Sequence, residues 1–195
     1  MNKLAYGNLL VPGIILVIVI VIGVYLVTIF NRLLRLQNSA EANLSQIQVA
    51  MKKRLDMIDQ LLGAVKGYVS YEKDVFKTVT ELRSRVTQGG TGELEDVDRR
   101  SRSIFSALIA VAEAYPELKA DQTVQRLMDA IVSVEDEIAR HRYTYNNIVQ
   151  EFNTMRDTIP SSFVAGAMGL EDLSYLEFEE EVEEAPIIEG LSRNE

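Results

Sequence analysis

From Leu9 to Phe30 the chain reads LLVPGIILVIVIVIGVYLVTIF, 22 residues without a charge. As a helix this run is about 33 Å long, against a hydrocarbon core of roughly 30 Å, so the pattern predicts one transmembrane helix. Pro12 falls in the first turns, where its missing N–H costs little, and the Ile and Val content is tolerable because lipid leaves the backbone no partner but itself. A cleaved signal peptide is the competing reading. The run is long for a signal core, and the residues after Phe30, NRLLRL, offer no small-x-small cleavage site. Arg32, Arg35 and then Lys52, Lys53 and Arg54 lie beyond the run, against Lys3 before it. By the positive-inside bias the large domain faces the cytoplasm.

After Arg32 the apolar positions recur at alternating intervals of four and three. Leu33, Ala40, Leu44, Ile47, Met51, Leu55, Ile58, Leu62, Val65 and Val69 hold that spacing, interrupted only by Gln37. Such a stripe needs a partner helix to cover it. The register hesitates at Glu72 and resumes through Phe76, Val79, Leu82 and Val86, so around Gly63 and Gly67 either one long helix bends or two helices meet end to end. No Pro or Gly separates Phe30 from the stripe, which allows the membrane helix to continue into it. TQGGTGE, Thr87–Glu93, then stops the pattern. Its glycines are free to take positive φ and reverse the chain, and Thr91 is placed to cap the next helix. That helix carries Leu94, Val97, Ser101, Ile104, Leu108, Val111 and Tyr115 and stops at Pro116. The last long helix runs from Val124 through Leu127, Ile131, Val134, Ile138, His141, Tyr145, Ile148, Phe152 and Met155, with Pro160 closing it.

The fold class that follows is all-α: an N-terminal transmembrane helix (1–30), an antiparallel bundle of long helices (31–160), and a short helix with an acidic extended tail (161–195). The tail holds eight acidic residues between Glu171 and Glu184. Tyr175 and Phe178, and with them Ile187 and Ile188, are placed to lie along the bundle as an extended strap. Beyond Gly190 the composition predicts disorder.

Composition narrows the chemistry. With no Cys, disulfides and thiolate sites are excluded, and packing alone holds the fold. The net charge is −9, and about −10 of it lies beyond residue 30, a field that disfavours nucleic acid. The one histidine, His141, shares a face with Glu137 but sits in the apolar stripe beside Tyr145, so an interior or interfacial histidine is the simpler reading than a metal ligand. A bundle di-metal site would need paired Glu-x-x-His elements. GGTG, Gly89–Gly92, lacks the lysine of a phosphate cradle. No catalytic centre, metal or cofactor is expected. The basic clusters Met51–Arg54 and Arg99–Arg102 read as solvated, salt-bridged helix faces, with binding of anionic lipid, nucleic acid or an acidic partner, or pairing with the acidic tail of the same or a neighbouring protomer, as the alternatives. In HRYTYNNIVQEFN, His141–Asn153, the tyrosines and asparagines stand out because polar groups inside a stripe find hydrogen-bond partners when buried; bundle or subunit packing is the simpler reading and a ligand groove the alternative.

At these residues the chain resembles the LemA family of bacterial membrane-anchored helical proteins. Phe30-Asn31, Gln46-Ile47, the basic doublet before the Leu-Ile stretch, and Val65-Lys66-Gly67-Tyr68 are similar to its first half. Glu113, Tyr115, Pro116, Leu118 and Lys119 match its Glu-Ala-Tyr-Pro-x-Leu-Lys element. Glu135, Ile138, Ala139, Arg142, Tyr145 and Asn146 look like its second signature, and Pro160, Gly169 and the aromatic-acidic tail like its C-terminal portion. Two departures are visible: Asp59 stands where relatives commonly have proline, and Asn147 where Asp or Ala is frequent. The resemblance implies a long-helix bundle behind a membrane segment and carries no catalytic residues. Some relatives are associated with envelope stress or membrane-organelle formation.

Two functional expectations follow. The first is a non-catalytic, membrane-anchored scaffold that forms homo-oligomers through helix faces. The second is a regulatory module binding another membrane protein, a lipid or a small ligand; an enzyme is a distant third. Candidate interaction residues are Lys52, Lys53, Arg54, Arg99, Arg100, Tyr115, His141, Tyr145, Asn146, Tyr175 and Phe178.

Overall fold

The computed structural model describes residues 3–68 and 73–178. Val69, Glu72, Ile187, Ile188 and the rest of the acidic tail beyond Phe178 lie outside the described residues. The first helix, α1, runs unbroken from Lys3 to Val65, about 95 Å. Its apolar run continues into the stripe without interruption, as the absence of breakers after Phe30 allows. From Val11 to Val27 the side chains stand exposed all round, as a lipid-facing helix would. Ile29 and Leu33 are the first to be covered, and Ala40, Ile47, Met51, Leu55, Ile58, Leu62 and Val65 follow on one face.

The chain leaves the helix after Val65 and turns back. The second helix, α2 (Lys73–Gln88), runs antiparallel along α1 rather than extending it: Arg83 reaches Asp56 at 2.6 Å, and Gln48 donates to the Gly89 carbonyl at 3.3 Å. Neither a bent single helix nor two helices end to end is found. Folding back lets Val79, Leu82 and Val86 cover the α1 stripe, which a longer rod would leave wet. At the next reversal, the expected positive φ does not occur among the described residues there. Gly89 is needed for space instead, because a Cβ on it would stand 2.8 Å from the Arg85 carbonyl oxygen. Thr91 does not cap either; it is the first residue of α3 (Thr91–Ala114), and Gly90 holds the cap position without a side-chain bond.

Along α3 the buried face is Leu94, Val97, Asp98, Ser101, Phe105, Leu108 and Ala112, one position away from the expected Ile104 and Val111 in its second half. Tyr115 ends it, with Pro116 opening the short α4 (Pro116–Ala120). Then α5 (Gln122–Asp157) returns along the whole bundle, antiparallel to α1, from a true cap: the Asp121 carboxylate accepts from Thr123 and Val124 N–H at 2.7 and 3.1 Å. The core face of α5 holds Val124, Ile131, Val134, Ile138, Tyr145, Val149 and Phe152; Val149 takes the place expected of Ile148, which is only partly buried. Last comes α6 (Ser161–Met168), closed by Gly169 at φ 66°, the one described glycine whose backbone requires its freedom. It packs Ala165 against Ile29, Leu33 and Phe152 at the base of the bundle.

Ile131 and Leu108 lie in the main core with at most 1 % exposure. Ile131→Asp or Leu108→Asp buries an unpaired carboxylate, a penalty of several kcal/mol that compares with the stability of a whole domain. Loss of the cooperative melting transition in far-UV circular dichroism is the expected result.

Candidate functional site

Two arrangements draw polar chemistry into the bundle. The first is an ionic knot between α1, α3 and α5. Arg54 is fully buried, its guanidinium 2.8 Å from the Asp98 carboxylate and 2.7 Å from that of Glu135, and it donates as well to the Ser101 hydroxyl. Arg102 closes the knot from outside, 2.8 Å from Asp98 and 3.3 Å from Glu135. Arg54 is therefore a correction to the solvated-face reading of Met51–Arg54. It stands three residues after Met51 and four before Ile58, and that phase turns it inward. Asp98 and Glu135 stand four residues after Leu94 and Ile131, each beside its stripe, as Arg54 stands beside Leu55. A charge flanking the stripe on each of three helices is the signal that the sequence carried.

The remaining basic candidates stay on the surface. Lys52 is exposed, and Lys53 meets Glu137 at 3.4 Å. Arg99 and Arg100 converge with Arg85 on Asp96, at 2.6, 3.2 and 2.6 Å. The Arg85 hydrogen bond above all holds the Asp96 carboxyl below its ordinary value near 3.8, and backbone N–H donors do the same for Asp121. Folded values below unfolded ones mean that both carboxylates stabilise the fold above about pH 4 and that this contribution is lost as pH falls through the depressed values. The melting temperature is expected to drop on acidification below pH 4. Asp121→Asn, which keeps the cap oxygen but not the charge, should flatten that slope in a pH series of melts.

The second arrangement is the groove that seats the tail. Residues 170–178 run extended and antiparallel to α5, and α5 reads their main chain. The Asn153 amide exchanges two hydrogen bonds with the backbone of Leu173, at 2.9 and 3.0 Å, and Asn146 does the same with Leu176, both at 2.9 Å. The spacing explains the fit: seven helical residues rise about 10.5 Å, and three extended residues cover about 10 Å. The two side chains thereby act as rungs of a ladder that a neighbouring strand would otherwise supply. Tyr145 donates to the Ser174 carbonyl at 2.9 Å, and burial raises its phenol pKa, which keeps the hydroxyl a donor. At the ends, Arg156 donates to the Leu170 carbonyl at 3.0 Å, and Arg142 lies over the Phe178 ring at 5.4 Å. Leu176 and Phe178 fill the core between these bonds, and α3 contributes Glu95, which accepts from the Glu177 N–H at 2.8 Å.

The structure thus brings Tyr145, Asn146 and Phe178 together, with Tyr175 half-exposed beside them. His141 is partly buried on the same helix. Tyr115 lies elsewhere, its ring 5.8 Å from that of Tyr68 at the end of the bundle away from the span. Arg156 was not singled out in the sequence, and Asn153 stood there only among the asparagines of the segment His141–Asn153. The signal for Asn153 was its place one heptad after Asn146.

The chain is similar in sequence to several known proteins. The LemA family model matches residues 43–189. Protein LemA of Metamycoplasma hominis is 29% identical over 152 residues, covering 77% of this chain and 69% of that protein. Magnetosome protein MamQ 2 of Paramagnetospirillum magneticum is 22% identical over 186 residues, covering 82% and 68%, and Magnetosome protein MamQ of Magnetospirillum gryphiswaldense is 21% identical over the same length. Bundle, apolar N-terminal helix and relatives together describe a membrane-associated protein, and the chain belongs to the LemA family.

Proposed function

We propose that this protein is a non-catalytic scaffold, anchored by a single pass of α1, that self-associates in the plane of the membrane by lending its strap to the groove of a neighbouring protomer. The main-chain ladder of Asn146 and Asn153 carries the reading. A groove that holds its occupant by backbone bonds and two apolar anchors accepts an identical strap from a second copy on equal terms, the condition for exchange between protomers. Confinement to two dimensions raises the effective concentration of that second strap. The charge of the knot is consumed internally, Arg54 against Asp98 and Glu135, which supports a structural role for it. Orientation with the bundle in the cytoplasm rests on Arg32 and Arg35 at the exit of the span.

The chain has no cysteine, so exchange is testable with two singly substituted chains, Glu95→Cys and Glu177→Cys, co-expressed and oxidised in native membranes. A disulfide-linked heterodimer is the expected product. A chain carrying both substitutions that closes only as a monomer, with no heterodimer from the mixed pair, contradicts strap exchange.

A further inference from the structure

The base of the bundle carries an apolar surface at the level where α1 leaves its apolar run. Glu151 pairs with Arg32 at 2.6 Å, and Phe152 packs on Ile29 and Leu33. Beyond Glu151, α5 continues for six residues, about 9 Å further along the span. The corner between α5 and α6 then lines an open groove of about 620 Å³ together with Tyr25, Thr28 and Arg32. On that corner Ile159 is 74% and Phe163 72% exposed.

Isolated exposed hydrophobics are ordinary on a soluble protein. Two observations set these apart. SSFVAGAM, the whole of α6, has no charge, and its outer face presents Phe163, Gly166 and Ala167 where a water-facing helix would carry polar residues. Depth is the second. Tyr25 stands five residues inside the end of the apolar run, about 7.5 Å, whereas a run of about 33 Å exceeds the hydrocarbon core by only about 3 Å. Sliding the bilayer clear of the corner would strip Tyr25–Phe30 of lipid and draw Asn8 into it.

We propose that the α5–α6 corner is an interfacial foot, with Ile159 and Phe163 inserted among the headgroups and upper acyl chains of the leaflet from which α1 emerges. This rests on the reading of α1 as a membrane span. The bundle then stands on the bilayer through two contacts, the continuous helix and the foot, and Thr154, Thr158 and Ser162 beside them face the headgroup layer.

The test uses the full chain in phosphatidylcholine vesicles with a fluorophore on one introduced cysteine at a time: Ile159→Cys, Phe163→Cys, Tyr143→Cys on the exposed upper face of α5, and Val17→Cys within the span. Nitroxide-labelled lipids quench at the headgroup or deep in the acyl region. Positions 159 and 163 are expected to be quenched about threefold or more above position 143, most by the shallow label, and position 17 most by the deep one. Quenching at 17 with 159 and 163 no different from 143 overturns the foot and leaves the span intact. No quenching at 17 overturns the span, and the foot with it.

Discussion

Arg54→Ala is expected to cost the bundle about 3–5 kcal/mol, because it strands the Asp98 carboxylate, 2% exposed, with no cation opposite it but Arg102 at the rim. A loss of that size is a large part of a domain's stability. Denaturant titration of the full-length protein in detergent, followed by circular dichroism, measures it. The contrast that gives the result meaning is the triple variant Arg54→Met, Asp98→Ala, Glu135→Gln. Removing all three charges together removes the desolvation cost along with the attraction, so this variant should lie within about 2 kcal/mol of the parent. If Arg54→Ala melted like the parent, the guanidinium would have to be solvated, and the inward phase of residue 54 would be wrong. The knot also fixes register. It is met only when α1, α3 and α5 align at one level, a constraint that apolar stripes sliding by a heptad do not impose.

Asn146→Ala with Asn153→Ala should release the strap while leaving the bundle folded. Four hydrogen bonds disappear, each worth about 1 kcal/mol net, so the seated state loses about 4 kcal/mol. Hydrogen exchange resolved by mass spectrometry is the measurement, since local opening is what it reports. Exchange in the segment 170–178 should accelerate by two to three orders of magnitude, about what 4 kcal/mol implies. Protection of the α1 and α5 cores should not change. Unaltered protection at Leu173 and Leu176 would mean that Leu176 and Phe178 alone seat the strap.

Much of the fold was legible in the sequence because its helices obey one rule. Ile47, Met51, Leu55 and Ile58 repeat at three and four, and so do Ile131, Val134 and Ile138, and burial follows. The reversal after Val65 was less legible. Gly63 and Gly67 weaken a helix without forbidding it, and the choice between continuing and folding back depends on whether Val79 and Leu82 find the α1 stripe, a contact at long range. Arg54 was misread for a related reason: a charge adjacent to a stripe reads as surface until the acids on two other helices are known to face it. In the groove, Tyr145, Asn146, Tyr175 and Phe178 were visible as polar or aromatic exceptions. Their joint purpose required the match between a helical heptad and three extended residues, which no single segment displays.

One uninterrupted helix passes from the exposed apolar segment 11–27, which the proposed span places in lipid, into the core of the bundle. A nitroxide placed at each residue from 15 to 60 in turn, with the full chain in vesicles, tests it through accessibility to oxygen and to a water-soluble nickel complex. Oxygen should dominate evenly through about residue 27, and then both signals should fall to minima at residues 29, 33, 40, 47, 51, 55 and 58 with no phase jump between 27 and 40. Nickel access throughout 15–27, or a loss of helical periodicity between 28 and 38, would contradict it.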